Sequence, residues 1–535
     1  MSYTSLLFIP FVAITVLLYY TVFRKCQWLL LLLASIAFYL FAGPKYIVFV
    51  LLTGISTYLL ALRIQQIHDK EKQIVDNSKK TDRDLKEFKK KIKKSFTHKR
   101  KFYLIVDFLI NIGILFVIKY TDFFLRGISQ ILARFGTNWS KEFEFVLPLG
   151  ISFYTFMSVG YILDVYWKRY NAEKNPLKVL CFLMYFPHIL QGPISRFNKL
   201  SSQMCVKHKF SYENLTKGLQ LALWGVFEKI VIADRLAVFA KGVYSKSNSL
   251  TGLPLVIAII FFSLQLYMDF QGCMDIGRGV SKIFGIDLEL NFKRPYFSKT
   301  MPEFWRRWHI TLGSWFKDYL LYPVSMSKLC KSINKSTRKR FGNQVSRACS
   351  SIIPTTCVWL ITGLWHGAAM CYVLWGIYHG ILIICSSVFE VPIQKINKLL
   401  HINTENGTFK LFQMCRSFVL SAIGRIFFVA TGGFFAAIEI IKRTFDFEHF
   451  NWQMLKDGSL YQFGLDRANF ILSWLLILLI WIVGIMQEHF VIRDKLAKQN
   501  IIIRWVAYLS LIAGIIIFGM YGSDYNSSAF VYGQF

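Results

Sequence analysis

The sequence predicts an all-α, polytopic integral membrane protein. Hydrophobic residues make up 54% of the 535 positions and charged residues only 18%, with a mean hydropathy of +0.41. Apolar runs long enough to cross a bilayer, about twenty residues each, recur along the chain. A soluble protein carries about 25% charged residues and could not bury so much apolar surface in its own core. The 63 Lys and Arg against 31 Asp and Glu, a net +32, lie in loops between the runs. About 10–12 transmembrane helices, with re-entrant or interfacial segments, are expected in a single membrane domain over 1–535.

The first run, Leu6 to Phe23, has no basic residue before it and no small-residue cleavage site after it. It reads as a retained span, not a signal peptide. Trp28 to Ala42 and Tyr46 to Leu62 follow, and then the most hydrophilic stretch, 63–101, which contains KEFKKKIKKSFTHKRK. The excess of Lys and Arg makes it a cytoplasmic loop, takes Arg24-Lys25 to the same side and leaves the N-terminus extracytoplasmic. Phe102 to Ile118 leads outward, and Phe145 to Tyr166 returns to Trp167-Lys168-Arg169. Further spans are expected at Leu215–Ala240, Leu253–Phe270, Ile352–Cys371, Tyr372–Val388, Ser417–Phe435, Phe470–Met486 and Trp505–Met520. The basic stretch Glu488 to Arg504 precedes the last span, which places the C-terminus extracytoplasmic too. The charge thus reads as positive-inside topology and attraction to the lipid bilayer, with no nucleic acid as partner. No repeat of fixed period is present, which argues against a solenoid, while the weak inverted symmetry of transporters stays open.

Polar groups at bilayer depth are costly unless they pair or line a cavity, so their clustering points to function. The densest cluster, Tyr267 to Tyr322, holds Asp269 and Gln271 in YMDFQGCMDIG, then Asn291, and then Trp305, Arg306, Arg307, Trp308 and His309 in MPEFWRRWHITLGSWFKDYLLYP. Read as one helix, this last segment sets Trp305, Trp308 and Leu312 on one face. It suits a protein-lined cavity or, alternatively, interfacial anchoring. His366 lies in the apolar VWLITGLWHGAAMCYVLWGIYHG between Gly363 and Gly367. It is either a general base or a satisfied core histidine; His379 reads as structural. A third cluster, YFPHILQGPISRF with His188, is broken by proline and suits a re-entrant or cavity-lining element. Ten cysteines are scattered singly, which supports neither a disulfide framework nor a metal site. The signatures of P-loop nucleotide hydrolases, zinc metalloproteases and serine hydrolases do not occur.

The ordered motifs PLGISFYTF (148–156), YFPHILQGPISR (185–196), EKIVIADRLA (228–237), DFQGCMDIG (269–277), NFKRPY (291–296), EFWRRWHITLGSWFKDYL (303–320) and GLWHG (363–367) resemble the membrane-bound O-acyltransferase (MBOAT) family. The nearest branch is that of alginate O-acetylase and the teichoic-acid D-alanine transfer protein. The resemblance implies a catalytic histidine at His366 and a second site residue at His309 near the cytoplasmic entrance. Donor or channel lining is expected from Trp305, Arg306, Arg307, Trp308, Asn291, Asp269, Gln271 and His188. The C-terminal residues 530–535, FVYGQF, match an F-x-Y-x-x-F terminus of this branch, whose tyrosine, here Tyr532, implies an extracytoplasmic acyl relay. An aromatic interface anchor is the competing reading.

The implied activity is transfer of an acyl group, acetyl before D-alanyl, from a cytoplasmic thioester across the membrane to a cell-surface or exported polysaccharide. The implied donor is acetyl-CoA or a carrier-protein thioester, with no bound cofactor. The implied partner is an extracytoplasmic acetyltransferase protein, and the implied setting is a bacterial cell membrane. D-alanyl transfer to teichoic acid and a transporter or flippase are the alternatives. Two departures stand out: RIFFVATGGFF (425–435) lacks the tryptophan and following arginine usual in the family, and Glu228 stands where relatives commonly have Lys.

Overall fold

A computed structural model describes residues 2–77, 82–137, 148–430 and 433–521, so Tyr532 and the rest of 530–535 lie outside the described residues. These residues are mostly helical, with no strand among them. Among the described residues, eight helices are long and apolar enough to cross a membrane, and two shorter apolar helices, Phe8–Tyr20 and Gln27–Phe41, come before them. The chain is a multi-pass membrane protein. It folds as two compact units, Ser5–Thr216 with Val280–Leu288, and Lys217–Gly279 with the described residues from Glu289 onward.

In the first unit, Ile47–Asp76 and Asp82–Arg134 continue as helices well beyond their apolar parts. The Lys-, Glu- and Gln-rich stretch at 63–101 is therefore drawn largely into helix, as those residue types allow. Arg100 pairs with Glu71 between the two extensions, and Lys168 lies 3.9 Å from the same carboxylate. Deeper in the unit, polar groups join three helices. Thr57 Oγ1 and Ser158 Oγ are 2.6 Å apart, and Asn111 Nδ2 donates to Thr57 Oγ1 at 3.2 Å and to Asp107 Oδ1 at 2.9 Å.

The second unit is built along the Leu253–Ile283 helix, which crosses Tyr212–Val226 on glycines. A Cβ added to Gly225 would lie 2.5 Å from the Gly272 carbonyl oxygen, and one on Gly279 would lie 2.5 Å from that of Gly218. Glycine is required because the two backbones touch directly. The stretch 227–233 that follows is π-helical. This wider turn carries Lys229, whose buried ammonium meets Asp269 at 2.5 Å and Asp234 at 2.8 Å. The Asp269 bond ties this turn to the long helix, and Asp234 ties it to the helix that follows, Asp234–Tyr244.

The Lys328–His366 helix contains a kink at Gly342, where φ is 76°. Its C-terminal part, Ala348–His366, is a candidate span, and the chain turns through Gly367 into Met370–Leu399. Gly376 faces the Trp359 backbone and Gly363 that of Tyr372, so these antiparallel helices also approach without side chains between them. His366 is consequently the last residue of one helix, at the bend of a tight hairpin.

Candidate functional site

The site grows from the break in WRRWH. One helix ends at Arg307, Trp308 is extended (φ −104°, ψ 127°), His309 is left-handed (φ 47°, ψ 54°), and a new helix runs Ile310–Phe316. The continuous helix expected from the sequence is thus interrupted at the histidine. A left-handed non-glycine residue costs roughly 1–2 kcal/mol, and tertiary hydrogen bonds supply the compensation. The Ile310 amide donates to the Asn291 carbonyl at 2.9 Å, and the Lys293 amide to that of Arg307 at 2.9 Å. Asn291 Oδ1 accepts from the Thr311 amide at 3.0 Å and the Thr311 hydroxyl at 2.9 Å.

Those two donors identify Oδ1 as the acceptor end of the Asn291 amide. His309 Nδ1, 3.2 Å from that oxygen, must therefore carry the proton, which leaves Nε2 as the acceptor nitrogen of the neutral ring. Burial pushes the His309 pKa down to about 3, because charging an imidazole without water is unfavourable. The ring of Phe270 packs edge-on at 4.9 Å.

His366 is held differently. Its ring centroid lies 4.6 Å from Trp375, 4.8 Å from Trp365 and 5.5 Å from Phe428. Trp365 also contacts His309, at 6.0 Å, so the two buried imidazoles pack against one indole. Beyond Trp375, His379 is enclosed by Trp305, Trp359 and Trp375 at 4.8, 5.5 and 5.0 Å. The Arg425 guanidinium faces the rings of Trp308, Tyr296 and Phe304 at 5.1, 5.4 and 5.7 Å. It is a buried charge solvated by π-faces.

A cavity of about 440 Å³ reaches Asn291. Arg278, Lys293, Arg294 and Arg493 line it against a single acid, Asp275, and Gln271 forms part of its wall. Of the expected donor or channel residues, Asn291 and Gln271 border this space. Asp269 is engaged by Lys229 instead. Arg306 is exposed, and Arg307 pairs with Glu303 at 2.8 Å and Glu488 at 2.9 Å. Trp305 and Trp308 pack around His379 and Arg425. His188 belongs to the first unit, where burial pushes its pKa down to about 3; neither ring nitrogen has a hydrogen-bond partner among the described residues.

Reasoning from the sequence did not single out Trp365, Trp375, Phe428 or Arg425. Arg425 carried a signal, a lone charge inside an apolar run. The aromatic residues carried none, because this chain has 14 Trp and 50 Phe.

Residues 173–337 match the membrane-bound O-acyltransferase family. A probable alginate O-acetylase of Pseudomonas putida is 30% identical over 70% of this chain and 70% of its own length. A peptidoglycan O-acetyltransferase of Helicobacter pylori is 30% identical over 66% of this chain and 62% of its own. A teichoic acid D-alanyltransferase of Bacillus subtilis is 30% identical over 45% and 59%. The chain spans about two thirds, 65% and 66%, of the length of two further Pseudomonas relatives named as probable alginate O-acetylases.

Proposed function

Because the chain belongs to the membrane-bound O-acyltransferase family, we propose that it takes an acyl group, acetyl in the first instance, from a cytoplasmic thioester and passes it across a bacterial cell membrane for O-acylation of a polysaccharide. The observation that carries this reading is the pair of buried imidazoles that pack against Trp365, within a membrane bundle whose basic cavity has Asn291 in its wall. A phosphate-bearing donor such as acetyl-CoA, or the phosphopantetheine of a carrier protein, suits a wall with four basic residues and one acid.

In this reading His366 accepts the proton of the acceptor hydroxyl as its oxygen attacks the thioester carbonyl. The tetrahedral intermediate collapses, the C–S bond breaks, and the departing sulfur takes the proton back from the imidazolium. His309, with its proton on Nδ1, offers only a lone pair at Nε2 and so accepts a hydrogen bond in the site. Tyr532 serves as the first acceptor and hands its acyl ester to an extracytoplasmic acetyltransferase partner, both chain termini lying on that side of the membrane.

The test is mass spectrometry of surface polysaccharides from cells with the wild-type gene, without it, and with Tyr532→Phe or His366→Ala. Loss of O-acetyl ester in all three altered strains is expected. Retained acetylation with His366→Ala overturns the assignment, and normal acetylation with Tyr532→Phe overturns the relay. Loss of D-alanyl ester instead identifies the other acyl group.

A further inference from the structure

A second cavity of about 480 Å³ lies beside the basic one and shares with it a wall that includes Trp224, Tyr267, Gln271 and Gln487. Its character is different. Three candidate spans, Leu253–Ile283, Gly407–Val429 and Arg467–His489, supply an aliphatic lining that includes Val256, Ile260, Val419, Ile423, Ile477 and Ile480. The volume falls in the range of small-molecule sites. An ordered water needs roughly two to four polar partners, and most of this wall is aliphatic or aromatic.

Glu228, which is 1% exposed, also lines the cavity. Its Oε1 accepts from Trp224 Nε1 at 2.8 Å and from Gln271 Nε2 at 2.7 Å. Its Oε2 has no hydrogen-bond partner among the described residues. Burial, with the neighbouring Asp275 carboxyl, raises the Glu228 pKa and holds the acid neutral, and with Oε1 already accepting twice its proton lies on Oε2. A buried O–H beside an apolar chamber calls for an acceptor. A neutral head-group oxygen supplies one without taking a charge out of water.

We propose that this cavity binds a neutral single-chain lipid, an alkyl chain lying between the three spans whose terminal oxygen accepts from the Glu228 carboxyl at Oε2. This site is separate from the thioester chemistry and does not depend on it. The test uses the full-length protein in lipid nanodiscs and a photoreactive hexadecanol carrying a diazirine in its chain, followed by peptide mapping. Labelling is expected to concentrate on 256–260, 419–426 and 477–484. It should be competed by 1-hexadecanol about tenfold better than by hexadecane, which lacks the acceptor oxygen. Glu228→Leu should remove that preference, whereas Glu228→Gln, whose amide nitrogen still donates, should keep it. Ile423→Trp, which fills the chamber and leaves Glu228 intact, should reduce labelling at least tenfold and keeps the proposal testable should Glu228→Leu not fold. Labelling spread evenly over the lipid-facing helices, equal competition by alcohol and alkane, or unchanged labelling in Ile423→Trp overturns the proposal.

Discussion

The two histidines that pack against Trp365 have different surroundings. His309 sits in a strained backbone conformation, with its tautomer set by Asn291 and its surroundings stitched by amide hydrogen bonds. His366 ends a helix at a hairpin and is positioned by three aromatic rings. The Asn291 hydrogen bond specifies which nitrogen of His309 carries the proton, whereas the three rings around His366 specify where that imidazole lies. A fixed tautomer suits constant polarity, and a closely placed imidazole suits proton transfer in the proposed reaction.

Substitution of each partner tests that contrast. His366→Ala should have the largest effect, a loss of about 10²–10⁴-fold or more in acyl transfer, measured as thioester consumption by membranes supplied with acceptor. The protein level in the membrane should be unchanged. Asn291→Ala should lower kcat by about 10²-fold by releasing the His309 ring, whereas Asn291→Asp, which keeps an acceptor oxygen, should recover part of it. Equal losses in the two variants would overturn the role given to the acceptor oxygen of Asn291. Arg425→Met should lower the thermal midpoint in detergent, with a stability cost of about 0.5–2 kcal/mol, and Arg425→Lys should cost less.

The smallest effect concerns pH. An unfolded chain protonates His309 near pH 6.5, whereas burial in the folded protein pushes it down to about 3. Between those values the unfolded state binds more protons, so stability should fall as pH falls from about 6.5. Thermal midpoints at pH 7 and pH 5 should therefore differ less in His309→Gln than in the wild type.

Spans and polar islands were readable because both rest on local composition: a run such as Leu253–Phe270 shows itself by hydropathy, and His366 by being polar within such a run. The helix beginning at Leu253 continues to Ile283 because Asp269, Gln271 and Asp275 find Lys229, Glu228 and Arg278 as partners, which hydropathy does not foresee. The break at His309 was missed for a related reason. Nothing in EFWRRWHITLG forbids a continuous helix, and the competing hydrogen bonds come from Asn291, eighteen residues away. Asp269 looked like channel lining, and only the fold reveals that Lys229 occupies it. Arg425 shows the converse: its partners Trp308, Tyr296 and Phe304 lie more than a hundred positions earlier, so its setting is set by topology.

The glycine crossing of Tyr212–Val226 over Leu253–Ile283 acts as a calliper. Trp224 and Gln271 each immediately precede one of the touching glycines, Gly225 and Gly272, and both donate to the same oxygen of Glu228. With no side chain in the joint, no rotamer change can absorb an added methyl group, so Gly225→Ala must spread the jaws. The smallest possible change in the chain's chemistry would then alter the partition shared by the basic and the aliphatic cavity, and with it the shape of both chambers at once.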